Sequence, residues 1–197
     1  EMIRDLSGNN PVKREQHLNI IIEETDRLTQ IVNDMLDLSK LESGAQKLDY
    51  STFDIAQCMA EIVHRYEGVS ERMGYQIHLT LDEPCMVRCD ESKIDRVIGN
   101  LINNAINYTS KEDKQVFVTQ RNLPQCVRIE VRDTGDGIEE DKIKLIFDKY
   151  YRSENHKREV VGTGLGLSIV KEILKMHNYN YGVNSKLGEG STFWFEI

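Results

Sequence analysis

Three short segments follow one another in the second half of this chain. Asn100-Leu-Ile-Asn-Asn104-Ala-Ile-Asn107-Tyr108 comes first, Asp133-Thr-Gly135-Asp-Gly137-Ile second, and Gly162-Thr-Gly164-Leu-Gly166-Leu last. The first lies in a helix-like run from Asp90 to Thr109. Ile94, Val97, Ile98, Leu101, Ile102 and Ala105 form its apolar face, while Asn100, Asn103, Asn104 and Asn107 fall opposite. Asparagine is a poor helix former, at up to about 0.7 kcal/mol per site against alanine. Surface solubility does not explain that many. Amide oxygens do suit a hard cation such as Mg2+ beside anionic phosphates.

Asp133 ends a strand and enters a glycine turn, where a carboxylate can accept from an exocyclic amine such as that of adenine. The glycine loop from Gly162 opens a helix near Ser168–Met176, and backbone N–H groups at a helix N-terminus attract phosphate. Each motif is weak alone, and an ordinary Asp-Gly turn is common. No Gly-Lys-Ser/Thr follows the loop, which excludes a Walker site. Together the three predict a site for ATP. The polar stretch from Tyr150 to Val161 reads as a lid.

The rest of the chain divides in two. Residues 12–43 read as one long helix, with Pro11 in its first turn and Gly44 ending it. Leu18, Ile21, Thr25, Leu28, Val32 and Met35 recur in steps of three and four, and Ile22, Ile31 and Leu38 widen the stripe. One helix cannot bury its own stripe, so this one needs a partner. Residues 1–6 read as the end of an earlier helix. The division is therefore 1–44, a truncated helical hairpin, and 45–197, an α/β unit. In the second unit, strands are predicted at 49–53, 76–81, 86–89, 115–121, 126–132, 180–185 and 191–197. Helices are predicted from Asp54 to about Met73, over 90–109, 139–147 and 163–177. That order gives an α+β, two-layer sandwich with helices on one face of a mixed sheet.

The net charge of −8 opposes a nucleic-acid partner. No apolar run is long enough to span a bilayer, so direct membrane contact is not expected. The four cysteines form no CxxC pair and read as reduced, mostly buried thiols of a cytoplasmic protein.

The combination resembles the sensor histidine kinases of two-component systems, within the wider Bergerat-fold ATPases. The stretch Asp26-Arg27-Leu28 through Asp34-Met35-Leu36-Asp37-Leu38-Ser39-Lys40-Leu41-Glu42-Ser43-Gly44 resembles the second helix of their dimerisation and phosphotransfer hairpin. By that resemblance Asn104 is a Mg2+ ligand, and Asn100 helps coordinate the metal or polarise the reacting groups. Asn107 and Tyr108 lie against the nucleotide. Asp133 binds the adenine amine, with Gly135 and Gly137 shaping its loop. Phe147 and Tyr150 support the lid, and Arg152 approaches the phosphates. Gly162, Thr163, Gly164 and Gly166 hold the triphosphate, with Leu165 and Leu167 as anchors. Ser191 or Thr192 closes the site near the base. The family often has lysine where Asn107 stands, so one phosphate contact is either lost or replaced by Arg152 or Lys149.

None of the five histidines stands in the family's phosphoacceptor context. The resemblance therefore implies an acceptor upstream of Glu1 and no self-phosphorylation by this chain. It further implies ATP and Mg2+ as cofactors, a response-regulator receiver domain as partner and a homodimer through the hairpin. It places the chain in the cytoplasmic part of a membrane-anchored sensor. Two other readings stay open: an ATP-driven clamp of the same fold, and a non-catalytic module. Asn100 argues against the first, since clamps usually place a carboxylate there. The intact asparagines, Asp133 and glycine loops argue against the second.

Overall fold

The computed structural model describes residues 10–109, 114–151 and 163–197. Helix α1 spans Pro11–Glu42, and the Asn10 side chain caps it by accepting from the N–H groups of Val12 and Lys13. Strand β1 (Ser51–Asp54) leads into α2 (Ile55–His64) and α3 (Glu67–Met73). Then come β2 (Gln76–Leu81), β3 (Met86–Cys89), α4 (Glu91–Tyr108), β4 (Gln115–Asn122) and β5 (Val127–Asp133). The chain closes with α5 (Gly166–Met176), β6 (Asn180–Lys186) and β7 (Gly190–Glu196).

Five strands form one mixed sheet in the order β2-β4-β5-β7-β6. The β2–β4 pair is parallel and the others are antiparallel. Strands β1 and β3 make a separate antiparallel pair. Alternation along β4 and β5 buries Val116, Val118, Ile129 and Val131 under the helices. Ile94, Val97, Ile98, Leu101, Ile102 and Ala105 of α4 meet them from above. This is the two-layer sandwich expected from the sequence.

Two expected helices differ. The helix expected from Asp54 to Met73 breaks after His64. There the Tyr66 hydroxyl donates to the Gly99 carbonyl of α4 at 3.1 Å, which pulls the chain out of register. The 139–147 segment is a run of turns, not a helix. Its bonds from Lys142, Ile143 and Leu145 reach back three residues, and the α-helical bond from Ile146 to Lys142 stands alone among them. Its far end is pinned where the Tyr150 N–H donates to the Gly164 carbonyl at 3.2 Å, and Tyr150 takes a left-handed φ of 60°.

Helix α1 lies against the sheet unit. Leu38 and Leu41 are buried there, whereas Leu18, Ile21, Leu28, Val32 and Met35 remain exposed. The expected stripe is thus split: Leu38 faces the α/β unit instead of widening the seam.

Candidate nucleotide site

The site is set by how α4 is anchored. Asp90 caps the helix, accepting from the Lys93 N–H at 3.1 Å and the Ser92 hydroxyl at 2.8 Å, while its other oxygen accepts from the Asp49 N–H at 3.0 Å. Burial alone would raise this carboxyl's pKa. The three hydrogen bonds outweigh it and hold the value below normal. From this fixed start the apolar face points into the core and the asparagines point to the opposite side.

There they meet the other two segments. A cleft of about 580 Å3 is lined by Asn100, Asn104, Asn107 and Tyr108 from α4, by Asp133 and Gly137, and by Thr163, Gly164 and Gly166. Asp133 is 4% exposed. One of its oxygens accepts from the Gly135 N–H at 2.8 Å and the Ser191 N–H at 3.2 Å, which fixes the plane of the carboxylate. Gly135 does not line the cleft. It is buried behind it, where a Cβ would meet the Tyr108 carbonyl oxygen at 2.4 Å. Gly137 combines a φ of +71° with a neighbour, the Lys186 carbonyl oxygen, 2.1 Å from any Cβ.

Helix α5 begins at Gly166 with no side-chain cap, so its first turn is left open toward the cleft. Thr163 folds the loop below it by accepting from the Leu165 N–H at 3.2 Å. Leu165 is wholly buried beneath the loop, while Leu167 lines the cleft. Among the described residues the Asn100 Nδ2 is buried without a hydrogen-bond partner. An orphaned amide beside an uncapped helix start fits a polar ligand bound at this end of the cleft.

Other expected residues fall elsewhere. Ser191 lines the cleft, but Thr192 alternates to the opposite face of β7. Phe147 packs edge-on against Tyr181 and Phe193, and Tyr151 rather than the exposed Tyr150 reaches the cleft. Lys149 turns away to pair with Glu42 at 2.6 Å. Arg152, Gly162 and nearly all of the expected lid lie outside the described residues.

The cleft also holds residues that no motif marked. Ile138, Ile146 and Phe193 supply apolar wall, and Asp136, Glu139 and Lys142 supply charge. Among the described lining residues Lys142 is the one cation, 2.6 Å from Glu139. That bond raises the lysine's pKa. Gln30 and Asp34 come from α1. Asp34 accepts from Gln30 at 2.9 Å, from Arg96 at 3.3 Å and from the Thr163 hydroxyl at 3.3 Å. A local motif could not mark them, because Thr163 lies 129 residues away.

Among the described residues no helix is long and apolar enough to cross a membrane. Comparison with known proteins agrees with the geometry. The family described as histidine kinase-, DNA gyrase B-, and HSP90-like ATPase matches residues 89–197, and the His kinase A (phospho-acceptor) domain matches residues 1–44. A sensor-like histidine kinase of Pyropia yezoensis is 35% identical over 196 residues, covering 92% of this chain. The chain spans 30% of that relative's length. Full-length ShkA, solved in complex with AMPPNP, matches all of this chain over 41% of its own, with a TM-score of 0.82 and 27% identity. ThkA, solved in complex with the response regulator protein TrrA, matches all of this chain over 54% of its own, with a TM-score of 0.75 and 25% identity.

Proposed function

This chain belongs to the histidine kinase-, DNA gyrase B-, and HSP90-like ATPase family, and within it to the sensor histidine kinases; from that premise we propose that it binds ATP with Mg2+ and transfers the γ-phosphoryl group to a histidine. The observation that carries this reading is the single cleft joining α4, the Asp133 turn and the start of α5.

Asp133 would accept from the adenine amine, its plane set by Gly135 and Ser191. Ile138, Ile146 and Phe193 would exclude water around the base. Gly162, Gly164, Gly166 and the open turn of α5 would hold the phosphates, with Arg152 added from the lid. Asn104, aided by Asn100, would hold Mg2+, which would supply positive charge to neutralise the phosphates. Asn107 and Tyr108 would lie along the nucleotide, where Lys142 can supply the positive charge that Asn107 lacks. An imidazole nitrogen attacks the γ-phosphorus, and the bond to the bridging oxygen breaks to release ADP. Such transfers rest on positioning and charge neutralisation.

Residues 1–44 would form part of a hairpin that pairs two copies, and residues 45–197 the ATP-binding unit. The histidine's phosphoryl group would pass to an aspartate of a response-regulator receiver domain. The complex of ThkA with TrrA supports that partner. This chain would lie in the cytoplasmic part of a membrane-anchored sensor.

Calorimetric titration with ATP, with and without Mg2+, tests the reading. Asp133→Asn is expected to weaken binding at least tenfold, or about 1.4 kcal/mol. Radiolabel from γ-labelled ATP is expected on a separately supplied hairpin segment carrying the acceptor histidine. Absence of ATP binding by the intact chain would sink the proposal.

A further inference from the structure

Two serines face each other in direct register across the β6–β7 hairpin, Ser185 on β6 and Ser191 on β7. Ser191 is 6% exposed and lines the cleft, and its backbone N–H donates to the Asp133 carboxylate at 3.2 Å. Ser185 does not line the cleft. Its Oγ is instead the centre of three hydrogen bonds. The Ile138 N–H donates to it at 2.8 Å, the Ser191 Oγ lies 2.9 Å away, and its own hydroxyl donates to the Gly190 carbonyl at 3.0 Å. A hydroxyl has one proton and two lone pairs. The Ser185 proton is committed to Gly190, because a carbonyl can only accept. All three contacts therefore coexist only when the Ser191 proton points at Ser185.

We infer that Ser185 is a positioning residue for recognition of the base: by taking the Ser191 proton, it leaves the Ser191 Oγ with only lone pairs to offer the cleft, beside the Asp133 carboxylate. This rests on the ATP reading of the site. A carboxylate also accepts only. Asp133 and Ser191 thus present two acceptors side by side. Adenine carries an exocyclic amine with two protons at C6 and can satisfy both. A 6-oxopurine such as guanine or hypoxanthine places a carbonyl oxygen there, and lone pairs would face lone pairs. Polar groups left unpaired in a buried site are costly, so the mismatch discriminates between the bases. A Ser191 hydroxyl free to rotate would weaken that discrimination, because it could turn and donate to the oxo group. Ser185 removes that freedom without touching the nucleotide.

The test measures Kd on the 197-residue chain with Mg2+, for ATP and for inosine triphosphate, which carries the 6-oxo group in place of the amine. The unaltered chain is expected to prefer ATP. Ser185→Ala is expected to narrow that preference by about fivefold, the worth of one neutral hydrogen bond. Ser185→Cys, close in shape but a weak acceptor, is expected to do the same and gives the result should the alanine variant fail to fold. Ser191→Ala is expected to narrow the preference too, and in its background a change at Ser185 should narrow it no further. A merely structural Ser185 would weaken both nucleotides alike and leave their ratio unmoved, which overturns the inference. So does a narrowing that persists in the Ser191→Ala background. Equal affinity of the unaltered chain for the two nucleotides overturns the inference while leaving the ATP site standing. Failure of that chain to bind ATP overturns both.

Discussion

Asp90 stays charged against its own burial because three donors converge on it. Its pKa lies below the ordinary 3.8, so its stabilising effect is complete above that value and disappears as pH falls through the lower folded one. Asp90→Asn keeps a capping side chain but loses the charge. It is expected to cost about 1 kcal/mol near neutral pH. Urea unfolding at neutral pH and again well below 3.8 checks this, since the gap between the two proteins should close in acid. A gap independent of pH would refute the assignment. Cysteines give a second expectation at this scale. Burial pushes the Cys58 thiol up to about 12 and the Cys89 thiol up to about 11, so neither forms the reactive thiolate. Cys85 and Cys126 are partly exposed. An aromatic disulfide reagent should titrate only these two thiols in the native protein and all four in denaturant. Single residues were legible in the sequence where their type was costly for its local structure, as with asparagines inside a helix. They were illegible where the type was ordinary. Lys142 looks like any surface lysine, and only the fold turns it into the cleft. Of five histidines, His177 is structural: its Nε2 accepts from the Asp90 N–H at 3.2 Å, leaving Nδ1 to donate to the Ile173 carbonyl at 2.9 Å.

Elements were legible in proportion to how locally they are determined. Strands β2 and β3 alternate cleanly and lie at the residues expected. The break between α2 and α3 depends on Tyr66 finding Gly99 in another helix, and the turns after Gly137 depend on Tyr150 reaching Gly164. Neither tie leaves a mark in the local pattern. Two glycines in different elements make the same contrast testable. Gly68 lies near the start of α3, where an added Cβ would have nothing within 4 Å. Gly68→Ala should therefore raise stability by about 0.4–1 kcal/mol by restricting the unfolded chain. At Gly135 an added Cβ would sit 2.4 Å from the Tyr108 carbonyl oxygen and 2.8 Å from the Asp133 carboxylate. Gly135→Ala should displace one or both, lowering stability and weakening nucleotide binding together. Thermal unfolding and nucleotide titration of both variants decide it, and equal effects of the two substitutions would show that the Asp133 turn is not packed as described.

At the scale of the molecule, the α/β unit could be anticipated because its core follows local periodicity and its site follows ordered motifs. Where α1 lies could not. Its heptad-like stripe promises a helical partner, yet the same helix uses Leu38 and Leu41 against the sheet unit and Asp34 against Thr163. One sequence serves two surfaces, and no periodicity separates them. Leu41→Ala exploits this. Leu41 lies outside the cleft lining, so its truncation touches no ligand group. Loss of a buried leucine would cost about 2–5 kcal/mol in a core. At the junction between α1 and the α/β unit part of that loss can be avoided by undocking the helix. The expected result is unchanged helical content and a weaker carbodiimide cross-link between Glu42 and Lys149, which pair only while α1 is docked. If the cross-link persists, Leu41 is ordinary core and the helix is held by its charges alone. If the whole chain unfolds early in one transition, α1 is an integral part of the α/β unit rather than a part that can leave it.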